Sequence, residues 1–164
     1  MILPRRLTLV LDRVPLTVVQ RVAELVFLQA LKQHPRLFDR LGEYAAKRYR
    51  FTPADLDLSF VIEPDRKRIK VYRKKASPTV DAAAAGPMVT LLALLEGRLD
   101  GDAVFFSRSL TLTGDMEAML ALRNALDDCG FDLPTDLAPA AGPFAPVFRE
   151  LAQRVRSHAL AGNA

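Results

Sequence analysis

Few side chains in this sequence could carry covalent chemistry, and their positions define what that chemistry would be. The two histidines are His34 and His158, and the single cysteine is Cys129. Nucleophilic catalysis needs a base held beside the nucleophile. His34 precedes Pro35 at an expected helix start, where capping or solvent contact is its ordinary role. His158 lies near the C-terminus in an expected tail helix. Cys129 follows Asp127 and Asp128, and their negative charge opposes the thiolate form. Asp100 and Asp102 flank Gly101 in "DGD", but the remaining ligand positions of a calcium loop are missing. There is no CxxC pair and no Gly-rich phosphate loop. No catalytic residue, metal or cofactor is expected.

Two other signals remain. In "RKRIKVYRKK", seven of residues 66–75 are Lys or Arg. With Ile69 and Val71 inward on a strand, Arg68, Lys70 and Tyr72 point out. That pattern suits a solvated strand face, an anionic membrane surface, or a nucleic-acid backbone with Tyr72 stacking on a base. The second signal is apolar excess. Met88, Leu91, Leu92 and Leu95 share one helix, and Met116, Met119 and Leu120 share another. Phe105, Leu110 and Leu112 come from nearby strands, and Leu56, Leu58 and Phe60 from a hairpin arm. Core packing accounts for each alone. Together, flexible Met mixed with Leu and Phe suits an adaptable apolar cavity.

The elements that must position these residues follow from periodicity. Pro15 opens a helix reaching about Lys32, with Val18, Val22, Leu25, Val26 and Phe27 marking its apolar side. Pro35 restarts a second helix through "RLFDRLGEYAAKRYR", with Leu37, Phe38, Leu41 and Ala45 at helical spacing. From Leu56 to Val71 the period drops to two, which predicts a β-hairpin turning at Pro64–Asp65. "PTVDAAAA" is a weaker third strand, "PMVTLLALLEG" a short helix, and "AVFFSRSLTLTG" two strand-like pieces. "GDMEAMLALRNALDD" is a helix with Asp115 at its start, where a carboxylate suits the free N–H groups. Four prolines between residues 134 and 146 mark a connector. Phe144, Val147, Phe148, Leu151 and Val155 then align on a tail helix. Helices at the ends and hairpin-like strands between them predict an α+β fold, one sheet covered on one face by helices.

The 164 residues suffice for one domain with a core. A net charge of +4 permits anionic partners without requiring them. One cysteine excludes an intrachain disulfide framework. No apolar run reaches the ~20 residues of a membrane span, so a cytoplasmic location is expected.

The block "LLALLEGRLDGDAVFFSRSLTLTGDMEAMLALRNALDD" resembles the sterol carrier protein 2 family. The most specific features are Phe105, Phe106, Arg108 and Leu110, then Gly114 and Asp115 opening a helix with Glu117 and Asn124 along it. Within that family the sequence is similar to bacterial accessory factors of oxygen-independent ubiquinone biosynthesis. The resemblance implies a five-stranded, mostly antiparallel sheet with helices on one face, enclosing a hydrophobic tunnel, and no catalytic residues. It implies a bound lipid, either an isoprenoid quinone precursor such as a polyprenylphenol or a phospholipid. General carriage of sterols or fatty acyl chains stands as the alternative, and a nucleic-acid module behind it. The expected domains are a membrane-facing helical extension (1–34), a lipid-binding domain (35–133), and a connector with C-terminal amphipathic helix (134–164). Expected lipid contacts are Leu56, Leu58, Phe60, Ile69, Val71, Met88, Leu91, Leu92, Leu95, Phe105, Leu110, Leu112, Met116, Met119 and Leu120. Expected membrane contacts are Arg5, Arg6, Val18, Val22, Leu25, Arg68 and Lys70. The partners implied are an anionic membrane surface and other ubiquinone-biosynthesis proteins, with no nucleic acid; a homodimer is compatible with the pattern. The protein is expected to associate peripherally with the membrane.

Overall fold

A computed structural model describes Leu9, residues 12–96 and 110–130, and scattered positions of the tail between 142 and 157. Helix α1 (Leu16–Gln33) leads into a 3-10 segment (Asp39–Ala46). Strands β1 (Tyr49–Pro53), β2 (Ser59–Glu63) and β3 (Arg68–Tyr72) follow. Next come a 3-10 turn (Lys74–Ala76), β4 (Ala82–Gly86), α2 (Met88–Leu95), β5 (Thr111–Gly114) and α3 (Met116–Cys129). The strands form one sheet in the order β3-β2-β1-β4-β5. β1 and β4 run parallel, and the other three pairings are antiparallel. This is the α+β architecture expected from the sequence.

Register assigns the two faces. Phe51 stands opposite Phe60 and Ala84, Phe60 opposite Val71, and Ala84 opposite Leu112. Side chains alternate across a strand, so these residues share one face with Tyr49, Ile62, Ile69 and Ala82. Leu91 of α2 and Ala118, Met119, Leu122, Ala125 and Leu126 of α3 pack on that face, forming the main core with Tyr49, Phe51, Ala82 and Ala84. Alanines on β4 let the helices approach the middle of the sheet closely. The opposite face is mixed, carrying Arg50, Thr52, Ser59, Lys70 and Tyr72 around the buried Val61 and Ala83. There Ser59 is buried, with its hydroxyl 2.8 Å from Thr52 Oγ1 and accepting from Ser77 at 3.3 Å. Arg50 donates to the Pro78 carbonyl at 3.0 Å.

Three expectations are corrected. Residues 36–50 do not form one helix: Gly42 has φ 54° and ψ −124°, which kinks the 3-10 segment, and Tyr49–Arg50 already belong to β1. The helical spacing of Leu37, Phe38 and Leu41 is real and all three are buried, but Gly42 adopts a backbone conformation that no helix continues through. Leu56 and Leu58 lie before β2, not within it, and their alternation reflects an extended connector packed on the core. His34 closes α1, its N–H donating to the Ala30 carbonyl at 2.8 Å, instead of opening a second helix. The expected first strand piece around Phe105 and the inner side of the tail helix lie outside the described residues.

Candidate functional site

The apolar face of the sheet holds two clusters that meet at Phe60. The larger contains Leu91 and Met119, with Leu95, Leu110 and Leu112 packed against it. The smaller is built on Leu56, Leu58 and Val71, with Phe60, Met88 and Leu92 against it, and lies under the inner side of α1 through Leu16, Val19 and Ala23. Eleven of the fifteen expected lipid contacts thus fall in two adjoining clusters of packed apolar side chains. Ile69 is half-buried on the same sheet face. Phe105 lies outside the described residues.

Met116 and Leu120 do not line this interior. Each is 46% exposed, because positions four apart share the side of α3 turned away from Met119, Leu122 and Leu126. Sharing a helix with Met119 does not put a residue on the same face.

The expected membrane contacts also separate. Val18 and Leu25 are exposed on the outer side of α1, joined there by Leu28, while Val22 is half-buried. Arg68 and Lys70 project from the mixed face of the sheet, opposite the face that α1 covers. Arg68 is paired in register with Glu63, to which its Nε donates at 2.7 Å. Arg5 and Arg6 lie outside the described residues.

Gln20 was not anticipated from the sequence. It sits among the apolar residues on the inner side of α1, and its amide meets the outer edge of β3. Gln20 Oε1 accepts the Val71 N–H at 2.6 Å, and Nε2 donates to the Ile69 carbonyl at 3.0 Å. Nε2 also donates to Glu24 at 2.8 Å. One side chain therefore serves as the neighbour that an edge strand lacks. An amide between the partly buried Val19 and Ala23 must find polar partners, but which ones depends on β3 being an edge.

Below the compartments, the β5–α3 turn explains the Gly–Asp pair. Gly114 has φ 84°, and a Cβ there would overlap the Asp81 carbonyl oxygen and sit 3.1 Å from its carbon. The same Asp81 oxygen accepts from the Asp115 N–H at 2.8 Å. Asp115 caps α3 by accepting from the Ala118 N–H at 3.0 Å, and Lys47 lies 3.5 Å from its other oxygen. The hydrogen bond from Ala118, with help from Lys47, holds the Asp115 carboxyl below its usual range. Its stabilising contribution is therefore complete above the ordinary carboxylate pKa and is lost as pH falls through the lowered one. Asp115 is a structural cap, as its position in the sequence predicted.

Neighbouring tyrosines complete this corner. Tyr44 donates to Glu117 at 3.1 Å, and that bond raises its pKa. Tyr49 is fully buried and donates to the Tyr44 carbonyl at 2.8 Å. Burial, reinforced by Asp115 and Asp81, pushes Tyr49 up to about 12. Its neutral form is favoured in the fold, so its stabilising contribution is intact below the unfolded value near 10 and fades as pH rises towards 12. An ultraviolet titration is expected to show a late ionisation of Tyr49 at about 12, together with alkaline unfolding, and Tyr49→Phe is expected to remove that late step. The Cys129 thiol is also raised, chiefly by burial, with Arg40 opposing and Asp128 adding a smaller push. The expected direction holds, but desolvation is the larger cause.

Among the described residues no cluster of three His, Cys, Asp or Glu side chains could hold a metal ion, and no helix is long and apolar enough to cross a membrane. The described clusters are built almost wholly from apolar side chains, and the Tyr49 hydroxyl within the larger one is taken up by the Tyr44 carbonyl.

One solved structure shares the fold, and sterol carrier proteins superpose more loosely. A solved structure described as "UbiJ-SCP2 Ubiquinone synthesis protein" superposes with a TM-score of 0.57 at 19% identity, covering 73% of this chain and 98% of that one. The sterol carrier protein domain 2 of Helicoverpa armigera gives 0.47 at 16% identity, covering 64% and 84%. Sterol carrier protein 2 from Yarrowia lipolytica gives 0.46 at 14%, covering 68% and 92%. No curated protein sequence matches the chain. The SCP-2 sterol transfer family profile matches residues 27–127, from the second half of α1 to the last turns of α3, and the chain belongs to that family.

Proposed function

We propose that the protein is a non-catalytic lipid-binding accessory factor that holds an isoprenoid quinone precursor or a phospholipid in a hydrophobic tunnel and presents it to enzymes of oxygen-independent ubiquinone biosynthesis. The observation that carries this reading is the pair of adjoining apolar clusters sharing Phe60. A polyprenyl or acyl chain needs no directional partner there. Each buried CH₂ contributes ~0.8 kcal/mol, so about ten carbons supply roughly 8 kcal/mol before association costs. A charged catalytic group in the same place would carry a desolvation cost of several kcal/mol. The ubiquinone assignment is supported by the description of the fold neighbour as a ubiquinone synthesis protein.

The membrane contact in this proposal is the outer stripe of α1, Val18, Leu25 and Leu28, flanked by Arg21 and Lys32. Apolar insertion beside basic charge is the combination that holds a peripheral protein on anionic lipid. In domain terms, residues 1–34 would be the membrane-facing part, 35–133 the lipid-binding part and 134–164 a connector with a terminal helix. General carriage of acyl chains or sterols is the second reading, since the described apolar clusters contain no group selective for a quinone ring.

Native mass spectrometry with lipid extraction of the purified protein tests the proposal. A bound prenylphenol or phospholipid is expected, and liposome flotation is expected to be stronger with anionic than with neutral vesicles. A clean apo protein that takes up no added prenylphenol or phospholipid would remove it.

A further inference from the structure

We infer that the N-terminal half of α1 is a hinged lid over the port through which an apolar chain reaches the interior, and that the Gln20 amide is its latch. The inference rests on the lipid-binding reading and adds where the cargo passes. Helix α1 is held unevenly. Its C-terminal half is rooted in the larger cluster: Ala30 is buried, Phe27 and Leu31 pack on that core, and the Phe27 ring lies 6.0 Å from Phe38. Its N-terminal half covers only the smaller cluster, with Leu16, Val19 and Ala23 over Leu58, Val71, Met88 and Leu92.

Among the described residues, the polar fastening within that half of the helix to the sheet is the Gln20 amide, which bonds the Val71 N–H and the Ile69 carbonyl. Ahead of the helix, Arg73 donates to the Val14 carbonyl at 3.2 Å, and Asp12 accepts from the Asp57 N–H at 3.2 Å. Lifting this half uncovers the apolar groove at the β3 edge, continuous with the main core through the shared Phe60. It also frees the Val71 N–H and the Ile69 carbonyl, which water can satisfy at a sheet edge. The same half carries exposed Val18, and Leu25 follows two turns on, on the same side. Contact of that outer side with a bilayer places the port at the lipid surface.

The latch has its own reporter. Backbone groups alternate in direction along an antiparallel edge strand. The Val71 N–H faces Gln20, whereas the N–H groups of Lys70 and Tyr72 face β2. Protection of Val71 therefore measures α1 docking, and protection of Lys70 measures the sheet. The test compares wild type with Gln20→Ala, and with Gln20→Glu, which keeps the acceptor for Val71 should the alanine variant fail to fold. Two readouts are taken: amide hydrogen exchange, and the uptake rate of a pyrene-labelled phospholipid from phosphatidylcholine–phosphatidylglycerol vesicles. The expected result is Val71 exchange faster by on the order of tenfold, with Lys70 unchanged, the scale of losing one or two ordinary hydrogen bonds. Probe uptake should accelerate in parallel, while the amount bound at equilibrium stays the same.

Faster Val71 exchange with an unchanged uptake rate would overturn the port. Unchanged Val71 exchange would overturn the latch. Failure of the wild type to take up any probe would instead sink the lipid-binding reading itself, and the port with it.

Discussion

Gly114→Ala is expected to destabilise the protein by about 3 kcal/mol or more, read as a lower midpoint in urea unfolding. Two costs combine. An alanine at φ 84° occupies a backbone region that L-residues rarely adopt. Its methyl group would also overlap the Asp81 carbonyl, which is backbone and cannot rotate aside. That carbonyl accepts from Asp115, and the Asp81 carboxylate accepts from the Arg48 N–H at 2.7 Å. Any shift that relieves the clash therefore pulls on β1, β4 and the start of α3 together. Asp115→Ala removes only the cap and is expected to be milder. Equal midpoints for Gly114→Ala and wild type would show that the turn is not under this constraint.

Leu92→Trp is expected to give the largest functional change. Leu92 is half-buried on α2 against Leu56, Leu58 and Val71, with α1 above. An indole there fills space that the proposal assigns to the lipid chain. Lipid uptake should fall more than tenfold, while overpacking lowers stability by about 1–3 kcal/mol. Leu120→Ser, on the outer side of α3, should leave uptake as it is, because Leu120 is 46% exposed. Normal uptake by a folded Leu92→Trp protein would place the lipid away from the α1 groove.

The ease of reading each element tracks whether local pattern or distant contact decides it. The β2–β3 hairpin was legible because Phe60, Ile62, Ile69 and Val71 alternate and one face is buried. α3 was legible because Asp115 caps it. The 36–50 stretch misleads because Leu37, Phe38 and Leu41 keep helical spacing up to Gly42, whose backbone conformation no side-chain period reveals. β1 was invisible for a related reason. Its Arg50 is fixed by the Pro78 carbonyl, 28 residues on, and its centre pairs with the still more distant β4. Of the site, the apolar inventory was evident in composition, but the sides taken by Met116 and Leu120 needed the axis of α3. Gln20 needed the knowledge that β3 is an edge.

The parallel pairing of β1 with β4 has a consequence for how the chain comes together. Tyr49 must meet Ala82, about thirty residues later, after the whole β2–β3 hairpin has been made. The meander β1-β2-β3 can assemble from near neighbours, but closing the sheet's centre is a non-local step, of the kind that slows folding. Until β4 docks, the inner edge of β1 is unpaired, an exposed strand edge of the kind that favours aggregation.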